Sequence, residues 1–182
     1  MKYWPVPKSY SKSFPNENTP GSFWEGRDDR YHCGIDIYAP VGSNVLSVYS
    51  GFVIEIGIFT DNKTIPYWNE TKYIIIKNQD GIFCKYAELK DVEVKEKDFV
   101  KAGQLIGHVG LVLNNKKITK KSPLYIQKIK KKNNFSMLHF EAYKSLPLKN
   151  KKYLGGNWFG NKKPNNIINP SNYLKNIIKT KI

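Results

Sequence analysis

The sequence of 182 residues has little cysteine, arginine and histidine, and it has no long hydrophobic run. Its two cysteines, Cys33 and Cys84, are too few for a disulfide framework, and we expect two separate thiols. The absence of any stretch of about eighteen apolar residues excludes a membrane-spanning helix. The first residues also lack the apolar core of a secretory signal. A cytoplasmic protein, export by another route and a mature fragment therefore all stay open.

Acidic residues are almost missing from the second half of the chain. Residues 1–98 carry a formal charge of −2, whereas residues 99–182 contain eighteen lysines and a single acid, Glu141, and carry +17. Eight of these lysines lie between 116 and 132 without any acid. Such a segment is either a solvated loop or a surface that attracts an anionic polymer. Charge alone does not predict a nucleic-acid-binding protein, because no aromatic and basic strand motif accompanies it.

Short runs of β-branched and aromatic residues, separated by glycine and turn residues, predict a β-rich fold. The predicted strands cover residues 45–49, 51–56, 73–76, 83–86, 104–109 and 137–142. The last two of them are expected as a β pair. Apolar residues recur at helical spacing only at 173–178. The predicted class is therefore all-β, or β-rich α+β, with a short C-terminal helix.

The length of the chain is sufficient for one packed domain and too small for two of ordinary size. We expect an irregular N-terminal arm at residues 1–22 and a single domain at 23–174. The arm is rich in proline, serine and asparagine, and its apolar residues follow neither the helical nor the strand period. The Lys-rich stretch at about 111–135 reads as a basic loop inserted into this domain. A basic tail at 175–182 follows the domain.

Three residues have the types and spacing of metal ligands. His32 and Asp36 lie four residues apart around Gly34, which permits a tight local path. His139 lies on a predicted alternating strand and could supply a third ligand from across the sheet. Two histidines and one carboxylate, with water in the fourth position, form the ligand set of a catalytic zinc. The spacing of His32 and Asp36 is common by chance, so the surrounding sequence has to show whether it marks a metal site.

That context is a series of motifs in a fixed order. The run from His32 to Val45, followed by Gly-Phe-Val at 51–53, resembles the opening of the lysostaphin-like (LytM-type) zinc metallopeptidases, which cleave peptidoglycan cross-bridges and stems. Further stretches are similar to the same family in the same order: 73–76 with 86–89, 100–110, 137–141 and 168–174. The resemblance covers roughly residues 23–174. It implies a lysostaphin-like antiparallel β-sheet domain of the barrel-sandwich hybrid type.

The resemblance also implies which residues act. The family's zinc ligands fall on His32, Asp36 and His139, which would hold one Zn²⁺ ion. Its two catalytic histidines fall on Met137 and Glu88. We expect Met137 to be inert, because a thioether is only a weak acceptor.

Three roles stay open for Glu88. It could be a substitute general base, because other zinc peptidases use a glutamate in that role. It could be a fourth ligand that closes the site, as structural zinc sites are closed. It could also be a solvated or salt-bridged carboxylate at a strand end, which is the usual state of such a residue.

The expected function is that of a zinc metalloendopeptidase directed at peptidoglycan or a similar peptide. The loss of both catalytic histidines leaves an alternative, a zinc-retaining pseudoenzyme that binds a cell-wall polymer, another polyanion or a protein partner. An anionic polymer would bind through the Lys-rich stretch at 116–132. If the family function holds, the protein works at the cell envelope or is secreted.

Other residues near these motifs are expected to have structural roles. His108 should be a partly exposed non-ligand. Cys33 should point away from the site, because neighbouring side chains on an extended chain face opposite sides. Trp158 and Phe159 either line a substrate groove or pack over a sheet edge.

Overall fold

The computed structural model describes residues 2–146 and 150–175 and consists mainly of antiparallel strands. In chain order the strands are β1 (Gly26–Arg27), β2 (Arg30–His32), β3 (Ile35–Tyr38), β4 (Asn44–Leu46), β5 (Gly51–Thr60), β6 (Thr71–Asn78), β7 (Phe83–Val92), β8 (Phe99–Val100), β9 (Leu105–Val109), β10 (Met137–Tyr143), β11 (Tyr153–Leu154), β12 (Asn157–Trp158) and β13 (Ile167–Ile168). The α-helices are α1 (Leu124–Lys132) and α2 (Pro170–Tyr173), and a 3₁₀ helix spans Asn115–Lys117.

The strands form one large and one small antiparallel sheet. The large sheet has the order β13-β10-β7-β6-β5-β8, with β3 added to β10, and with β9 joining β7 to β4. The small sheet has the order β1-β2-β12-β11. The strands predicted at 104–109 and 137–142 exist as β9 and β10, but in the described residues each pairs with β7 and not with the other. Their expected pairing is therefore wrong.

The two faces of the large sheet have different surroundings. Side chains alternate between the faces of a strand, and Leu138 and Phe140 of β10 pack into the main hydrophobic core. His139, between them, projects from the opposite face. The core also receives Trp4 and Val6 from the irregular N-terminal segment, so this segment contributes to the interior of the domain. The boundaries expected for an arm at 1–22 and a domain at 23–174 stay a prediction.

The insertion at 111–135 is more ordered than the expected loop. It contains the 3₁₀ helix and α1, and α1 buries Ile126 and partly buries Tyr125 and Ile129. The apolar stripe is short, and lysines occupy four of the nine helical positions, so the sequence did not reveal the helical period. Lys130 is itself structural, since its ammonium donates to the carbonyl of Ile118 at 2.9 Å.

The C-terminal helix begins earlier than expected. The side chain of Asn169 accepts a hydrogen bond from the backbone of Ser171, and Pro170 occupies the first turn, so α2 has an ordinary N-cap. Residues 176–178 of the helix predicted at 173–178, and residues 176–182 of the tail predicted at 175–182, lie outside the described residues. Within the described residues, no helix has the length and hydropathy needed to cross a membrane.

Candidate metal centre

Three side chains from three strands converge on one point. His32 ends β2, Asp36 lies in β3, and His139 lies in β10. Asp36 and His139 face each other directly in the β3–β10 register. Gly34 allows this approach, because a Cβ there would come within 2.5 Å of the Phe140 carbonyl oxygen and 2.9 Å of the His139 ring.

The three ligand atoms form a nearly equilateral triangle. His32 Nε2 lies 3.0 Å from His139 Nδ1 and 3.1 Å from Asp36 Oδ1, and the remaining side, from His139 Nδ1 to Asp36 Oδ1, measures 3.0 Å. A tetrahedral zinc with bonds of about 2.0 Å would separate its ligand atoms by about 3.3 Å. An outward shift of a few tenths of an ångström would therefore fit the ion, and the donor set suits zinc.

The far side of each ligand is held by a second partner. His32 donates from Nδ1 to the carbonyl oxygen of Ser22 at 2.8 Å, and His139 donates from Nε2 to Glu141 Oε1 at 2.8 Å. These bonds leave His32 Nε2 and His139 Nδ1 directed at the centre, as is usual for metal-ligating histidines. Asp36 Oδ2 accepts from Arg27 Nη2 at 3.2 Å, which leaves Oδ1 at the centre.

The charges of this network reinforce one another. Burial disfavours the charged forms of Asp36 and His139, but their neighbours outweigh it. Interactions with His32, His139 and Arg27 lower the pKa of Asp36 well below its usual range, and hydrogen bonds to Asp36 and Glu141 raise the pKa of His139 to about 9. Burial and the nearby Arg27 guanidinium lower the pKa of His32. Burial likewise opposes the charge of Glu141, but Lys85 and His139 lower its pKa to about 2. Without a metal, these shifts favour neutral His32, ionised Asp36 and protonated His139, so a metal ion that binds here would displace a proton from His139.

Backbone encloses the centre closely. The three ligand residues expose only 1–6% of their surface. A Cβ on Gly21 would lie 3.0 Å from the Asp36 side chain, and a Cβ on Gly156, at φ +75°, would lie 2.6 Å from the His139 ring. Asp36 also lines a cavity of about 320 Å³ beside the N-terminal segment.

Glu88 lies in the interior and is not solvated. It adopts the left-handed region at φ 64° within β7 and is 8% exposed. Its Oε2 atom has no hydrogen-bond partner in the described residues. Burial, followed by the negative charge of Asp36, raises the pKa of Glu88 to about 8. Glu88 is not among the groups whose ligand atoms lie within 4.8 Å of one another, so this arrangement gives no support to its role as a fourth ligand.

Met137 packs in an apolar cluster instead of facing an open groove. The cluster includes Trp68, Leu113 and Ile126, so the insertion supplies part of the cover over this position. An imidazole at the same place would be surrounded by hydrocarbon and aromatic surface.

The other residues noted in the sequence lie away from the three ligands. His108 is partly exposed, and its Nδ1 lies 2.6 Å from Asp91 Oδ1. Cys33 and Cys84 are buried free thiols, as expected. Trp158 is half-buried and lines a cavity, and the Phe159 ring stacks under the Arg30 guanidinium at 4.4 Å.

Sequence reasoning missed the residues that support the ligands. Glu141 could have been found, because it follows His139 by two positions on an alternating strand and must share its face. Lys85 lies opposite Glu141 in the register of β7 and β10. Arg27 and the Ser22 carbonyl carry no such signal, since the irregular path of the chain brings them to the centre.

Comparison with known proteins gives a consistent family and fold. Residues 30–153 match the model of peptidase family M23. The antimicrobial peptidase lysostaphin from Staphylococcus simulans is similar in structure, with a TM-score of 0.53 and 22% identity over 96% of this chain and 55% of that one. The catalytic domain of lysostaphin has a TM-score of 0.50 and 20% identity, over 96% of this chain and 92% of that domain. A chain in a structure of the SpoIIIAH and SpoIIQ complex has a TM-score of 0.51 and 19% identity, over 95% of this chain and 99% of that one.

These similarities confirm the predicted lysostaphin-like, β-rich fold. At these identities they show the fold alone. A search of the curated proteins found no match.

Proposed function

Because the chain belongs to peptidase family M23, we propose that it is a zinc-dependent metalloendopeptidase that cleaves peptidoglycan or a similar peptide. In this proposal His32, Asp36 and His139 hold one zinc ion, and Glu88 is the general base. The ion would act as a Lewis acid toward the scissile carbonyl and would favour deprotonation of the attacking water. Such a protein works at the cell envelope or outside the cell.

The observation that carries this proposal is the unpartnered carboxyl oxygen of Glu88. A buried carboxyl group without a partner is costly to the fold, and functional sites are where such groups concentrate. A pKa of about 8 allows the group to gain and lose a proton near neutral pH. Glu88 Oε2 would take a proton from the attacking water and return it to the leaving amine.

The supporting residues keep the ligands in place during this reaction. Arg27 holds one oxygen of Asp36, and Glu141 and the Ser22 carbonyl hold the two imidazoles. The backbones of Gly21 and Gly156 lie close to these side chains and would limit the room for a peptide at the centre.

Metal analysis is the first test of the proposal. We expect about one zinc per chain in the purified protein, and loss of zinc in His32→Ala and Asp36→Ala. His108→Ala is the matched control, because His108 lies with Asp91 and Glu93 in a separate group. A wild-type protein that binds no zinc would overturn the proposal.

Turnover is the second test. The substrates are purified peptidoglycan and pentaglycine, assayed with and without chelator. Glu88→Gln should lower the rate about 10²–10⁴-fold, the usual cost of losing a general base, whereas the exposed Glu70→Gln should leave it unchanged. Zinc binding without zinc-dependent cleavage by the wild type would instead support the alternative, a zinc-retaining pseudoenzyme.

The Lys-rich segment at 116–132 supports a further part of the proposal, attraction to an anionic polymer. Lys116, Lys117, Lys120 and Lys121 are exposed there. Replacing these four lysines by glutamine should weaken binding to an anionic wall polymer and reduce its salt dependence. Unchanged binding would show that the charge belongs to a solvated surface.

A further inference from the structure

A cavity of about 500 Å³ lies on the same face of the sheet as His139. Aromatic rings form much of its wall, including Phe59, Tyr73 and Trp158. Phe59 also stacks on the His139 ring, with centroids 5.5 Å apart. The cavity and the metal centre therefore share one wall residue.

A buried cation lines this cavity. Lys85 projects from β7 and is only 5% exposed. Its Nζ lies over the rings of Phe59, Tyr73 and Tyr153 at 4.5–4.9 Å. In the described parts of the chain, its one hydrogen-bond acceptor is the Tyr153 hydroxyl oxygen, at 2.9 Å. No described carboxylate lies within 4.0 Å of Nζ, so among the described residues two of its three N–H donors have no acceptor.

The charges around the cavity favour an anion. Among the described residues, its lining contains the two cations Lys85 and Lys151 and one acid, Glu55, which accepts a hydrogen bond from the Tyr73 hydroxyl. Burial lowers the pKa of Lys85, although Glu141 opposes this effect. An anion in the cavity would supply the missing acceptors and compensate the buried charge.

Strand register gives the distance of this cation from the metal centre. Ala87 lies opposite His139, and Lys85, two residues along the same strand, lies opposite Glu141. Two residues of a strand span about 7 Å. A chain of hydrogen bonds also joins the two places, from Lys85 through Tyr153 and Glu141 to His139. A peptide that occupied both the cavity and the centre would therefore meet Lys85 within about two residues of the reacting bond.

We propose that Lys85 is a specificity residue that binds a carboxylate of the peptide, either a free C-terminus or an acidic side chain. The identity of that peptide as a substrate rests on the proposed function, but its binding does not. The aromatic walls would hold the adjoining backbone and exclude water, which strengthens the charged hydrogen bond.

Peptide binding to the full chain tests this proposal without requiring turnover. The probes are N-acetyl-triglycine with a free carboxylate and the same peptide as its C-terminal amide. A second pair, N-acetyl-Gly-Glu-Gly-amide and N-acetyl-Gly-Gln-Gly-amide, distinguishes a side-chain carboxylate from a terminal one. Binding is measured by tryptophan fluorescence and calorimetry, with the zinc-loaded protein and again after chelation.

We expect at least one acid to bind about 10-fold or more tightly than its neutral partner. This preference should disappear in Lys85→Met and persist in Lys77→Met, an exposed lysine on the neighbouring strand. Lys85→Gln, which keeps a donor for Tyr153 without the charge, covers the case in which Lys85→Met does not fold. Equal affinity for acid and neutral peptides, or no binding of either acid, overturns the proposal.

The result is independent of the proposed function. An acid preference without any cleavage would retain the Lys85 site and reject the peptidase. Cleavage without a preference for the acidic peptides would retain the peptidase and reject the Lys85 site.

Discussion

Arg27 donates a hydrogen bond from Nη2 to Oδ2 of Asp36, at 3.2 Å, in the interior of the domain. The same guanidinium donates to Glu25 at 3.1 Å and to Asn157 at 3.3 Å, so it is fixed on three sides. It holds a carboxylate ionised in a buried place and turns the other oxygen, Oδ1, toward the two histidines. The fold therefore stabilises a negatively charged Asp36 side chain at this point.

Removal of this guanidinium should destabilise the metal-free protein. Arg27→Met leaves two carboxylates without their charged donor, and breaking a buried ion pair in this way costs about 3–5 kcal/mol. Urea unfolding in the presence of chelator measures the loss. Arg30→Met is the matched control, because Arg30 pairs with the exposed Asp29 and should contribute about 1 kcal/mol or less. An equal fall in the free energy of unfolding in both variants would contradict the expectation that the Arg27–Asp36 contact stabilises the fold.

Zinc should stabilise the wild-type protein and have no such effect when a ligand is changed. An ion that binds only the folded state adds about 4 kcal/mol at a concentration 1,000 times its dissociation constant. Adding a chelator should therefore lower the melting temperature of the wild type. Asp36→Asn should show no change with chelator, whereas His108→Ala should respond like the wild type. A response of Asp36→Asn equal to that of the wild type would place the stabilising ion elsewhere.

Glu88 should make the stability of the metal-free protein fall as pH rises. Its pKa is about 8 in the folded state and has the ordinary glutamate value of 4.5 in the unfolded chain, so the unfolded chain releases the proton first as pH rises. Below pH 4.5 both states are protonated, and between 4.5 and 8 the free energy of unfolding declines by up to about 1.4 kcal/mol per pH unit. Glu88→Gln removes this dependence.

The measurement for Glu88 is urea unfolding at pH 5, 6.5 and 8 in the presence of chelator. Glu88→Gln should match the wild type at pH 5 and exceed it in stability by a growing margin toward pH 8, reaching the order of a few kcal/mol. The exposed Glu70→Gln serves as the control for loss of a carboxylate. A margin that stays constant with pH would contradict the buried, unpartnered carboxyl group.

Replacing Met137 by histidine should destabilise the protein. The side chain lies among Trp68, Leu113 and Ile126, and burying a polar ring there without a partner costs about 1–3 kcal/mol. Met137→Leu, which nearly conserves volume, should cost less than about 1.5 kcal/mol. Urea unfolding compares the two variants. A histidine variant as stable as the leucine variant would mean that an acceptor or water is within reach.

The sheet was largely predictable from the chain because its signals are local. Alternating β-branched residues predicted β5, β6, β7, β9 and β10 close to their observed positions, and the structure extends β5, β6 and β7 at their ends. Pairing could not be predicted in the same way: β9 and β10 both pair with β7, because register depends on residues far apart in sequence. Helix α1 was missed because its lysines hide a narrow apolar stripe at Ile126 and Ile129.

The sequence by itself determined the β-rich class, the lysostaphin-like resemblance and the three candidate metal ligands. These properties depend on residue type, spacing and order along the chain. Tertiary structure decided that His32, Asp36 and His139 meet within hydrogen-bonding distance, that Arg27 supports Asp36, and that Glu88 and Lys85 are buried. The physical reason is that burial and electrostatic environment arise only when distant strands pack together, and these quantities set the charge of each group.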